Sequence, residues 1–221
     1  EKSVQVAENT LITHTLDITD QKAVERLPED LAKKSIEIDG LINNAGIIQP
    51  FYRVKDLDYE AIERVMKVNF YGPLYLIKAF LPNLLKRPEG YIANVSSMGG
   101  FLPVPGQSVY GASKAAIKLL TEGLYAELAE TNVHVSVVFP GATNTNITAN
   151  SKVAPPKSAG SKKYATLSPQ KAAEIIIKGI EENKFQIFVG KDSKAMNRLY
   201  RLNPKYATNL IAKKMRNLLQ N

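Results

Sequence analysis

Residues 11–16 alternate apolar and polar side chains in the two-residue period of a strand. Asp17-Ile18-Thr19-Asp20 closes that strand and caps a helix predicted over 21–34. A short apolar run at 38–42 predicts a second strand, and two strands joined by a helix of this length imply a parallel crossover. From 59 the pattern changes period. Ile62, Val65, Met66, Phe70, Leu74, Leu76 and Ile77 form one stripe of a long helix running toward 86, with a break expected at Gly72-Pro73. Further strands are predicted at 91–95, 133–139 and 185–189. Helices are expected over 109–130 and 169–182, and two more are split by Pro204.

Strands and helices in alternation predict an α/β fold, a Rossmann-like doubly wound parallel sheet. The 221 residues suffice for one domain, assigned to 1–190, with 191–221 as a basic amphipathic helical extension of it. The chain has no Cys, which excludes disulfides, thiolate metal sites and a cysteine nucleophile and favours a reducing, cytoplasmic setting. With only His14 and His134 as imidazoles, no metal site is expected. The net charge of +8 is uneven. Residues 184–221 hold nine Lys or Arg and one acid, Asp192. Met196, Leu199, Tyr200, Tyr206, Leu210, Ile211, Met215 and Leu218 recur among these cations at helical spacing. That face either meets an anionic membrane surface or packs on the domain or a second subunit; no nucleic-acid partner is expected. The Pro- and Lys-rich stretch 151–164 is the one loop long enough to suggest a lid or a disordered segment.

The candidate chemistry lies between 94 and 114. Ser97 ends an apolar run, and Tyr110 and Lys114 stand four residues apart, on one helix face. A fixed cation beside a phenol favours its ionised form, so Tyr110 can act as a proton donor and acceptor to an oxygen held by Ser97. Three other motifs accompany them: Asn43-Asn44-Ala45-Gly46 after an apolar run, Asn69 at a mid-helix position of poor propensity, and Pro140-Gly141 after the 133–139 run. In this order and at these spacings the set resembles the short-chain dehydrogenase/reductase family over residues 11–190.

The resemblance implies an NAD(P)-dependent oxidoreductase interconverting a carbonyl and an alcohol, with Asn69, Ser97, Tyr110 and Lys114 as catalytic residues. It also implies that NADP or NAD is held by Asp17 and Ile18 at the adenine, Asn44, Ala45 and Gly46 at the adenosine ribose, Tyr110 and Lys114 at the nicotinamide ribose, and Pro140, Gly141, Thr143 and Thr145 at the carboxamide. Asn69 would bind, through its backbone carbonyl, a water linked to Lys114. Met98, Phe101, Leu102, Val104 and Gln107 are expected on one substrate wall and residues 142–164 on the other, which suits a small apolar alcohol or ketone. A homodimer or homotetramer, built through helices 59–86 and 109–130, is implied as well.

Ahead of residue 11 the sequence has no glycine-rich turn; its first glycine is Gly40. The family carries that turn in an earlier βαβ portion, so the chain is expected to start after it, and without it tight dinucleotide binding is not expected. The alternative is a non-catalytic dinucleotide sensor or scaffold on the same fold.

Overall fold

Valine at every second position of 133–137 puts one apolar face on helices, while Ser136 and Val138 turn to the other. In the computed structural model, which describes residues 11–154 and 166–216, this segment is β3 (Val133–Pro140), third of four parallel strands. The others are β1 (Gly40–Asn43), β2 (Gly90–Val95) and β4 (Gln186–Val189), and the sheet order is β1-β2-β3-β4. Ile92, Val133 and Val135 pack with Ile77, Phe80 and Leu84 of α3 (Gly72–Leu84) and Leu124 of α4 (Ser108–Glu127). On the opposite face Val138, Ile187 and Val189 pack with Ala172, Ile175 and Ile176 of α6 (Pro169–Glu181). Helices thus cover both faces, as the doubly wound class requires.

The helix α1 (Gln21–Ala32) begins where its cap places it: Asp20 accepts from the Ala23 N–H at 3.1 Å. The strand expected at 11–16 does not form. Strand β1 pairs only with β2 among the described residues, leaving Leu11, Ile12 and Ile42 exposed by 61, 62 and 46 %. Alternation creates an apolar face, but a strand also needs a ladder partner for its backbone.

The helix expected over 59–86 is α2 (Tyr59–Met66) and α3, joined by a π-helical turn at Lys67–Tyr71 in which Gly72 N–H reaches back to the Lys67 carbonyl. Pro73 cannot donate to the carbonyl of Asn69 four residues back, so the helix widens before the proline. A short α5 (Ile147–Asn150) was not anticipated from its polar sequence.

Near the chain's end, α7 (Lys191–Leu202) and α8 (Pro204–Lys214) lie against the domain. Met196, Leu199, Tyr200, Ala207, Ile211 and Met215 pack on Met98, Phe101, Leu102 and Val104. Most of the apolar stripe read as a membrane face is therefore spent on the core, although Tyr206 is exposed and Leu218 lies outside the described residues, and of the helical tail's two readings packing on the domain is the one realised. Among the described residues no helix is long and apolar enough to cross a membrane.

A buried polar chain locks sheet to helix. Asn43 donates to Asn94 at 2.7 Å, Asn94 to the Thr121 hydroxyl at 2.9 Å, and Thr121 to the Ile117 carbonyl at 2.6 Å. Thr121→Val keeps the shape and strands the Asn94 amide donor. It is expected to cost about 1–3 kcal/mol in urea unfolding; a loss below about 0.5 kcal/mol would show that the chain of amides contributes no stability.

Candidate active site

The site begins at the carboxyl ends of β1, β2 and β3, where an open α/β sheet leaves room for a ligand. There a cleft of about 730 Å³ is lined by Asn44, Gly46, Ser97, Tyr110, Lys114, Pro140, Gly141, Thr143 and Thr145, all anticipated from the sequence. Its apolar wall includes Ile48, Phe51, Val95, Met98, Val104, Ile147 and Met215.

Ser97 follows β2 in extended backbone, and its hydroxyl accepts from the Gly99 N–H at 3.0 Å, capping a single 3-10 turn (Met98–Gly100). Tyr110 lies in the first turn of α4 and Lys114 one turn on. Lys114 is buried, and its ammonium donates to the Val95 carbonyl at 2.9 Å. Gly46 makes room for it: a Cβ on Gly46 would stand 3.0 Å from Lys114 Nζ. Burial pushes the Lys114 pKa down to about 8. Burial likewise raises the Tyr110 phenol above its ordinary value, opposed by the neighbouring Ser97 hydroxyl. The sequence pairing led to the opposite expectation, a phenol lowered by its lysine. Desolvation reverses the sign, because it favours the neutral form of each group.

Asn69 is buried and braces the site through its side chain. Its Oδ1 accepts from Ile47 N–H at 2.8 Å, and its Nδ2 donates to the Ile47 carbonyl at 2.8 Å and the Ser113 hydroxyl at 2.9 Å. The turn after β1 is thereby tied to both α4 and the π-helical turn.

Some expected residues lie outside this cleft. Asp17 is exposed and closes a local turn, accepting from Thr19 N–H at 2.9 Å and Thr19 Oγ1 at 2.8 Å, bonds that hold its carboxyl below the usual value. Ile18 packs against Gly72, and Ala45 is exposed beside the cleft without lining it. Phe101 turns edge-on to Phe139 with ring centroids 5.5 Å apart, and Leu102 is buried under α8, so neither lines the cleft.

Three features escaped the sequence reading. Asp192 and Ser193, at the start of α7, hold the Pro140-Gly141 turn: Asp192 accepts from Ala142 N–H and Ser193 donates to the Phe139 carbonyl, each at 2.8 Å. Ser151 accepts from Ile48 N–H at 2.9 Å, fastening the covering segment at its last described stretch; 155–164, the rest of the expected lid, lies outside the described residues. Met215 adds a wall from α8. Of these, Asp192 stands out in the sequence as the lone acid of a basic tail, Met215 as part of its apolar stripe and Ser151 as part of the expected wall, while the bonds themselves left no signal.

A parallel sheet clad on both faces, with a serine, a tyrosine and a lysine meeting in a cleft at its strand ends, defines the doubly wound α/β class with its site where that class binds ligands. Residues 1–155 match the short chain dehydrogenase family, and the chain belongs to it, a family of oxidoreductases. It is 32 % identical over 195 residues to the putative oxidoreductase SadH of Mycobacterium tuberculosis, covering 85 % of this chain and 70 % of that protein. With the dehydrogenase/reductase SDR family member 7B of Mus musculus it shares 34 % identity over 163 residues, 73 % of this chain and 50 % of that protein. A short chain dehydrogenase from Burkholderia cenocepacia, solved in complex with NADP, superposes with a TM-score of 0.74 at 28 % identity, covering 89 % of this chain and 76 % of that one.

Lys114 carries a stability consequence. Its folded value lies below the ordinary lysine value of 10.5, so its buried charge destabilises the fold below about pH 8. Between about pH 8 and 10.5 the unfolded chain binds the extra proton, and the penalty is relieved as pH rises. Lys114→Met removes a penalty of about 3 kcal/mol and forfeits a hydrogen bond of about 1–2 kcal/mol, so urea unfolding at pH 7 should show a gain of about 1–2 kcal/mol. A variant less stable than the parent would mean that the Val95 carbonyl more than repays the burial.

Proposed function

We propose that the chain is an NAD(P)-dependent oxidoreductase that interconverts a small apolar ketone and its alcohol, with Tyr110 as general acid and base. The observation that carries this reading is the meeting of Ser97, Tyr110 and Lys114 in a single cleft with an apolar wall. A relative solved with NADP, and the fold neighbour from Burkholderia phymatum solved with NAD, support the cofactor class.

The donor set fits the nicotinamide end of such a cofactor. Lys114 offers an ammonium to ribose hydroxyls, Thr143 and Thr145 offer hydroxyls to a carboxamide, and Gly46 leaves space where any side chain would meet Lys114. Once bound there, the nicotinamide supplies or removes the hydride at the reacting carbon. During reduction the Ser97 and Tyr110 hydroxyls hydrogen-bond the substrate oxygen, and Tyr110 then gives that oxygen its proton. The phenolate left behind is stabilised by Lys114, whose charge is worth most in a desolvated site. Oxidation runs the same transfer backward. Burial that raises the phenol makes it a weaker acid, so proton donation leans on the Lys114 charge, and the phenolate is a strong acceptor in the reverse direction. A dinucleotide sensor has no use for a desolvated phenol and ammonium, which weakens the scaffold alternative.

Ile48, Phe51, Val104, Ile147 and Met215 favour an apolar substrate body beside the polar reacting end. Exposed Tyr59, Tyr71, Leu119 and Tyr125 on the α2–α4 surface support a homodimer or homotetramer through those helices.

Tyr110→Phe is expected to lower NADPH- or NADH-dependent reduction of aryl ketones by at least about 100-fold, with cofactor affinity by calorimetry unchanged within about threefold. Retained turnover in a folded Tyr110→Phe protein would remove Tyr110 from the chemistry.

A further inference from the structure

Helix α4 carries both Tyr110 and Lys114, yet it has no side-chain cap of its own: Gln107 occupies the capping position and makes no capping bond. The first N–H groups of a helix need acceptors from outside it. Here they come from a residue about sixty positions earlier. The Gln49 carboxamide oxygen accepts from Val109 N–H at 2.7 Å and from Tyr110 N–H at 3.0 Å. Gln49 is fully buried, and Gln107 Nε2 donates to its backbone carbonyl at 2.9 Å, so the loop after β1 and the start of α4 grip each other.

We propose that Gln49 is a positioning residue for Tyr110, a cap supplied across the fold that fixes the backbone from which the phenol reaches Ser97. This rests on the assignment of Tyr110 as acid and base. Two further observations favour it. The two N–H donors fix which way the Gln49 amide points, and that choice leaves its Nε2 buried without a partner among the described residues. An uncompensated buried donor is costly, and it is kept where the carbonyl end has a task. A glutamate would serve the same two N–H groups and remove the stranded donor, but it would bring negative charge toward a phenol that must pass through phenolate. Glutamine offers the acceptor without the charge.

The experiment is a titration of the 221-residue chain carrying ring-labelled tyrosine, followed by NMR, with the Tyr110 signal identified by its loss in Tyr110→Phe. Gln49→Met keeps the bulk and removes the acceptor. The first turn should loosen, water should reach the ring, and the Tyr110 midpoint should fall toward 10 by at least about half a pH unit. Gln49→Asn, one methylene short, should move it the same way with less strain on folding. Gln49→Glu should leave it at the wild-type value or higher. A wild-type midpoint in folded Gln49→Met or Gln49→Asn would overturn the proposal. So would a fall in Gln49→Glu equal to that in Gln49→Met, which would make bulk rather than the acceptor responsible. The signal reports position whatever the chemistry, so its outcome stands apart from the turnover of Tyr110→Phe, which alone decides the catalytic assignment.

Discussion

A buried ammonium must have oxygen around it, and the site is arranged to provide some. Lys114 leaves α4, crosses the carboxyl end of β2 and donates to the Val95 carbonyl. That crossing needs a neighbour with no side chain, which Gly46 supplies, and Gly46 must be held in place. Asn69 does this by taking both the N–H and the carbonyl of Ile47. The π-helical turn around Asn69 belongs to the same arrangement: a widened turn re-aims a side chain that a regular helix would direct elsewhere. One buried charge thus ties together a glycine and an asparagine that lie far apart in sequence.

Elements with strong periodicity were legible at once. The Val133–Pro140 strand and the amphipathic α6 follow from residue spacing, because one face of each had only one place to go. Residues 11–16 misled because alternation specifies a face and not a partner. The tail misled for a related reason: amphipathicity specifies that a face is covered, and Leu102 and Phe101 cover it rather than lipid. Those two residues were expected at the substrate wall. Their use in the core beneath α7 and α8 is the same error seen from the other side.

Within the cleft, the residues that carry reactive groups were anticipated from sequence, and of the supporting residues only Asn69 was. Ser97, Tyr110 and Lys114 carry reactive groups and stand at a telling spacing. Asp192, Ser193, Ser151 and Gln49 do their work through single bonds to distant backbone, at separations of 50, 54, 103 and about 60 residues. No local pattern encodes such contacts. The sign of the tyrosine shift was lost in the same way, since charge proximity can be guessed from an i, i+4 pair while desolvation requires the walls to be known.

The support is distributed so that each strand end has its own brace. The turn after β1 is held by Asn69, the turn after β2 by Ser97 on Gly99, the start of α4 by Gln49, and the turn after β3 by Asp192 and Ser193. The last of these comes from α7, whose own start needs the positive φ of 100° at Gly190 to bring Asp192 beneath Gly141. A Cβ on Gly141 would occupy the space of the Asp192 carboxylate, so the glycine of that turn is required by the brace as much as by the cleft. The basic tail therefore enters the site twice, through Asp192 under one wall and Met215 in another. Its cations lie on the exposed side while Met196, Leu199, Tyr200, Ala207, Ile211 and Met215 pack inward, so the charge asymmetry of the sequence is the outer side of a helix pair that helps build the cleft.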